Sequence, residues 1–148
     1  MGFATSLGAF NISASGLTAE RLRMEVVANN IANASVTRTP EGGPYRRKDV
    51  VFETVMTGPV LDSRGSAISS GLAGVRTVAI VDDQSELPRI QDKGHPDADA
   101  EGFVTMPNVQ LPIEMVNLIT ASRAYEANLK AAQSFVDMNQ QALTIVRG

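Results

Sequence analysis

The sequence predicts an α+β protein: long N- and C-terminal helices pair as an antiparallel coiled coil and flank a β-rich middle segment. Three observations predict it: the placement of proline, glycine and charge, a seven-residue apolar period at both ends, and β-branched runs in the centre. Of 148 residues, 34–108 hold six of the seven prolines, eight of the twelve glycines and nineteen of the twenty-nine charged side chains. Helix interiors reject proline and disfavour glycine, so the ends read as helix and the middle as strands and turns. This gives a terminal coiled-coil domain from 1–34 and 109–148, and a β-rich segment at 35–108.

The first helix is expected over residues ~5–33, where the only charges are Glu20, Arg21, Arg23 and Glu25. Phe3, Phe10, Leu17, Met24 and Ile31 recur every seven residues, with Leu7, Ala14 and Ala28 four positions further on. Arg21 breaks that second series. A sustained heptad of this kind is a coiled-coil signal. Gly8 and Gly16 weaken the helix by about 1 kcal/mol each relative to alanine.

The middle supplies strand candidates at 45–55 and 74–81, both β-branched and bounded by turn residues, and a short one at 102–106 closed by Pro107. Gly58-Pro59, Ser63-Arg64-Gly65-Ser66 and Ser69-Ser70-Gly71 mark loops. Arg46-Arg47-Lys48 reads as a solvated strand edge, protected by charge from sheet-to-sheet pairing.

The second helix is expected over ~112–146. Met115, Leu129, Val136 and Leu143 lie on sevens with Ser122 as the polar gap; Leu111, Leu118, Tyr125, Ala132 and Val146 are companions, interrupted by Asn139. Pro112 suits a first helical turn, where a missing N–H costs nothing. At 1.5 Å per residue the helices are roughly 40 and 50 Å long, and they overhang a 75-residue middle. They therefore pack on each other. Their remaining faces carry amides such as Asn11, Asn29, Asn117, Gln133 and Gln140 where a solvated helix carries Glu and Lys. Such faces suit neighbouring helices, which points to assembly through the ends.

Composition excludes several classes. A net charge of −3 leaves no surplus to neutralise phosphates, which argues against general nucleic-acid binding. No apolar run approaches the ~20 residues that span a bilayer. The N-terminus lacks the basic and apolar regions of a signal peptide, so none is expected. Zero cysteines exclude disulfides, thiolate metal sites and cysteine catalysis.

The most site-like stretch is His95-Pro96-Asp97-Ala98-Asp99-Ala100-Glu101-Gly102. Asp97, Asp99, Glu101 and Gly102 match positions 1, 3, 5 and 6 of a calcium loop. Asn108 stands where its bidentate glutamate belongs, and Pro96 and Pro107 forbid the flanking helices, so an acidic turn is the reading preferred. His95 is the only histidine. No nucleophile elbow, P-loop or dinucleotide fingerprint occurs. On residues alone a structural subunit, a secreted or periplasmic coiled-coil adaptor, and an enzyme using His95 with Asp97 and Asp99 all stay open. The adaptor predicts a stable monomer and a 1:1 complex.

Several phrases together resemble a known family. Val26-Val27-Ala28-Asn29-Asn30-Ile31-Ala32-Asn33-Ala34 resembles the signature of bacterial flagellar rod and hook axial proteins. Gly42-Gly43-Pro44-Tyr45-Arg46-Arg47-Lys48 with Val51-Phe52-Glu53 is similar to the proximal-rod branch. So are His95-Pro96-Asp97-Ala98-Asp99, Gly102-Phe103-Val104, Met106-Pro107-Asn108-Val109, Glu114-Met115-Val116-Asn117 and Ala121 to Asn128. Gln91-Asp92-Lys93 and Leu111-Pro112-Ile113 depart from the pattern.

The resemblance implies a non-catalytic axial building block, passed unfolded through the flagellar type III export channel. It implies helical assembly, with terminal helices forming an inner tube and the middle an outer layer, in a rod that crosses the periplasm and transmits torque from membrane ring to hook. The partners implied are other proximal and distal rod proteins, the rod–ring adaptor protein, further copies of itself and the export apparatus, with no nucleic acid or small-molecule substrate. Another flagellar rod protein or a coiled-coil adaptor is the alternative. The expected assembly interface comprises Phe10, Leu17, Met24, Asn30, Ile31 and Asn33 on the first helix. On the second it comprises Met115, Leu118, Ser122, Arg123, Tyr125, Asn128, Leu129, Val136 and Leu143. His95, Pro96 and Asp97 form the family-motif turn. No catalytic residue, metal ligand or cofactor is expected.

Overall fold

A computed structural model describes residues 2–61 and 67–147. The α+β prediction holds. In chain order the elements are α1 (Gly2–Ala32), β1 (Lys48–Leu61), β2 (Ala67–Asp82), β3 (Arg89–Gln91), β4 (Phe103–Thr105) and α2 (Leu111–Arg147). β1 pairs with β2 in a two-stranded sheet. Five residues separate the two strands, too few for a parallel crossover, so the pair is an antiparallel hairpin. β3 pairs antiparallel with β4, with Ile90 opposite Val104.

Both strands of the hairpin run longer than the sequence predicts. Gly58-Pro59 lies inside β1 and Ser69-Ser70-Gly71 inside β2, so these are not loops. In a two-stranded ribbon every strand is an edge, and an edge tolerates proline and glycine that a central strand rejects. The expected loop at Ser63-Arg64-Gly65-Ser66 lies outside the described residues, and β3 had no sequence signal.

The helices match their expected spans, and their contacts follow an antiparallel order: residue 16 of α1 meets residue 128 of α2, and residue 30 meets residue 114. The seam on α2 differs from the expected one. Glu114, Leu118, Ala121, Tyr125, Asn128, Ala132, Phe135 and Asn139 form an unbroken heptad track that is buried or half-buried throughout. Met115, Leu129, Val136 and Leu143 are exposed. One of the two expected tracks is therefore displaced by one residue, about 100° around the helix. On the displaced track Glu114, Ala121 and Asn128 are small or polar, because there the helices approach closely or bond through side chains, so an apolar period does not find them.

Compactness divides the chain into two units. One comprises Met1–Leu22, Phe52–Val78 and Ala121–Gly148. Among its described residues the buried side chains are small: Ser13, Ala19, Ala121 and Ala132. Gly16 sits so close to α2 that a Cβ there would lie 2.9 Å from Asn128 Nδ2. The β2 strand reaches α1 at Gly74, where Ser15 Oγ accepts the Val75 N–H at 3.0 Å. Arg76 and Glu53 bridge the hairpin at 2.6 Å.

The other unit comprises Arg23–Val51 and Ala79–Thr120. Val26, Val27, Tyr45 and Val104 are its buried apolar residues, and Asn30 and Glu114 are buried with them. α1 ends where the Asn33 N–H and its side-chain amide both donate to the Asn29 carbonyl, at 3.1 and 2.8 Å, and the next N–H, of Ala34, turns to the Ile31 carbonyl instead. The chain then reverses through Gly42 (φ +94°) and Gly43 (φ +75°), two consecutive left-handed positions that only glycine adopts without strain.

Candidate functional site

The second unit is organised around a buried polar clamp. Asn30, on the last turn of α1, uses its whole hydrogen-bonding capacity. Its Nδ2 donates to the Lys48 carbonyl at 2.8 Å and to Glu114 Oε2 at 2.9 Å. Its Oδ1 accepts the Tyr45 hydroxyl and the Lys48 N–H, both at 2.9 Å. Glu114 sits in the first turn of α2 with 0% exposure. Its other oxygen accepts Arg47 Nε at 2.8 Å and Asn117 Nδ2 at 3.2 Å. Burying a carboxylate is costly unless it is paired and bonded, and here it is both.

Arg47 extends the network. Its Nη1 lies 3.4 Å from both Asp49 and Asp83. Its backbone N–H donates to Asn108 Oδ1 at 2.7 Å, and its carbonyl accepts the Asp83 N–H at 2.7 Å. Asn108 in turn donates to the Asp83 carbonyl and Ser85 Oγ. Burial alone lowers the Arg47 pKa, but the bonds and attraction to Glu114 and Asp49 together outweigh it and hold the guanidinium charged. Burial, with Asp82 and Glu114 adding, pushes the Tyr45 phenol up, so it stays a donor to Asn30. The solvated-edge reading of Arg46-Arg47-Lys48 is thereby corrected for two of three residues. Arg47 faces Glu114, and Arg46 Nη1 donates to the carbonyls of Asp83 and Ser85 at 3.2 and 3.3 Å.

The His95 stretch is a bonded turn. His95 Nδ1 accepts the Asp97 N–H at 3.1 Å, and Asp97 accepts the Thr37 hydroxyl at 2.8 Å while facing Arg38 at 3.5 Å. Asp99 accepts the N–H groups of Glu101 and Phe103 and pairs with Arg89, whose guanidinium lies 5.2 Å from the Phe103 ring centre. These bonds hold Asp97 and Asp99 in the turn's own frame, next to Pro96.

The expected interface residues divide by exposure. Asn30 is enclosed, with its side-chain bonds all made within the chain. Leu17, Met24, Ile31, Asn33, Leu118, Ser122, Tyr125 and Asn128 are half-buried. Phe10, Met115, Arg123, Leu129, Val136 and Leu143 are exposed. Phe10, Leu17, Leu129, Ala132 and Val136, with Gln133 and Asp137, line one open, mostly apolar groove of about 310 Å³. Glu114, Tyr45, Arg47 and Asn108 escaped the functional reading of the sequence. One signal was present: Glu114 is the only charge between Gln110 and Ser122.

Two family models match. Residues 10–38 fit the description "Flagella basal body rod protein", and residues 100–145 fit "Flagellar basal body rod FlgEFG protein C-terminal". The flagellar basal-body rod protein FlgC of Borreliella burgdorferi is 43% identical over 145 residues, spanning 93% of this chain and 95% of that protein. The chain belongs to the FlgC family. The FlgC of Bacillus subtilis is 40% identical across 95% of this chain and 98% of its own length. That of Escherichia coli is 37% identical across 94% and 96%. FlgC-family proteins are structural rod proteins, not enzymes, and this chain is a structural subunit of the flagellar basal body. The clamp and the His95 turn are thus parts of a building block.

Proposed function

We propose that this chain is a subunit of the proximal rod, assembling helically through α1 and α2 and transmitting torque from the membrane ring to the distal rod and hook. Residues 1–34 and 109–148 form the inner tube, and 35–108 the outer layer. Its neighbours are other rod proteins, the rod–ring adaptor and further copies of itself. It reaches the periplasm-spanning rod through the flagellar type III export apparatus.

The observation that carries this reading is the apolar stripe on α2. Leu129, Val136 and Leu143 are 39%, 42% and 53% exposed on one helix face. Water-facing apolar stripes of this kind mark contact surfaces. Leu129→Asp tests the proposal. The substituted monomer is expected to keep its melting temperature within a few degrees, because the position is already partly solvated. Basal-body incorporation and swimming should be lost, because a charge would be buried against apolar neighbours in the rod. Normal swimming by cells carrying Leu129→Asp would remove this stripe from the interface.

A further inference from the structure

We propose that α1 and the 36–49 segment form a preassembled carboxylate socket, and that Glu114 is the key whose entry docks the first turns of α2. The inference concerns how the subunit folds and does not depend on the rod position proposed above.

Sequence separation supplies the order. The socket is closed by the Asn30–Tyr45 and Asn30–Lys48 bonds, 15 and 18 residues apart. The key engages Asn30 across 84 residues. Loop closure scales with length to the three-halves power, so the local closure is favoured about tenfold over the distant one. The Tyr45 N–H to Val36 carbonyl bond, 3.0 Å, fastens the same segment without any residue of α2.

Chemistry makes the docking conditional. With Tyr45 and Lys48 bonded to Asn30, the free Asn30 Nδ2–H and Arg47 Nε–H are left converging on one place, and they are the donors that meet the two Glu114 oxygens. Docking without Arg47 would strand a buried carboxylate on amides alone, which is strongly unfavourable. The socket has no such dependence on Glu114, because its own bonds use Asn30 Oδ1 and the Lys48 carbonyl. Dependence therefore runs one way.

Hydrogen exchange on the full-length chain reads this asymmetry. In Glu114→Gln, amides 114–118 are expected to exchange about 10–100-fold faster, the loss of one charged hydrogen bond's worth of docking. The Lys48 and Tyr45 amides should keep their wild-type rates. Asn30→Ala should accelerate both groups. Equal acceleration of socket and α2 amides in Glu114→Gln, including outright unfolding, would overturn the proposal. So would unchanged protection of residues 114–118.

Discussion

Asn30 and Glu114 meet side chain to side chain at 2.9 Å, both with 0% exposure and 84 residues apart in the chain. No apolar contact could specify this pairing as sharply. An amide and a carboxylate that miss each other in a buried seam leave unsatisfied groups on both helices.

Removing one member of the Arg47–Glu114 pair is expected to cost about 3–5 kcal/mol, since the remaining charge keeps its burial penalty and loses its partner. Arg47 is one-fifth exposed, so Glu114→Leu is expected at the low end, leaving a cation that water can reach. Arg47→Met should reach the high end. The double variant should be far less destabilised than the sum. Denaturant midpoints of all four proteins measure this, and strict additivity would deny the coupling.

Two glycines should respond oppositely to alanine. At Gly74, φ is +123° and a Cβ would collide with Ser15 Oγ, so Gly74→Ala should destabilise by about 1–3 kcal/mol. At Gly8 nothing lies within 4 Å, so Gly8→Ala should stabilise α1 by up to about 1 kcal/mol. Thermal melts of both variants check the contrast, and a neutral Gly74→Ala would mean β2 does not press on α1.

Stability should fall at both ends of the pH scale. The Asp83 carboxyl is held below the usual carboxylate range by the Ser85 backbone N–H and hydroxyl, then by Arg47. Asp99 is held low by the Phe103 N–H and by Arg89. Groups depressed on folding stabilise above their ordinary pKa, about 3.9, and lose that contribution as pH falls through this region. Tyr45 is raised, so its contribution is complete below about pH 10 and declines as pH climbs beyond. Denaturation midpoints between pH 3 and 11 should show both limbs. Asp83→Asn with Asp99→Asn should flatten the acid limb, and an unchanged limb would assign it to other carboxylates.

At His95 the relevant atom is an acceptor. Glutamine can also accept the Asp97 N–H, so His95→Gln should shift stability by less than about 1 kcal/mol and leave swimming intact. Asp97→Ala should cost about 1–2 kcal/mol through the loss of the Thr37 bond. Complete loss of motility in His95→Gln, with the monomer folded, would mean that the ring makes a contact beyond its turn.

Much of this protein was legible in its residues. Proline and glycine placement bounded both helices to within a few residues, because those two act locally through φ and the missing N–H. The His95 turn and the absence of catalytic spacing were equally local readings. What tertiary structure alone decided is which face of α2 turns inward. The apolar heptad Met115–Leu129–Val136–Leu143 outranks Glu114–Ala121–Asn128–Phe135 on any hydrophobic scale, yet the latter is the seam. Periodicity measures the transfer of side chains from water; it is blind to an amide and a guanidinium, distant in the chain, that make burying a carboxylate favourable. Asn30, Arg47 and Glu114 have separate neighbourhoods in sequence, and only the folded chain supplies the environment in which each satisfies the others.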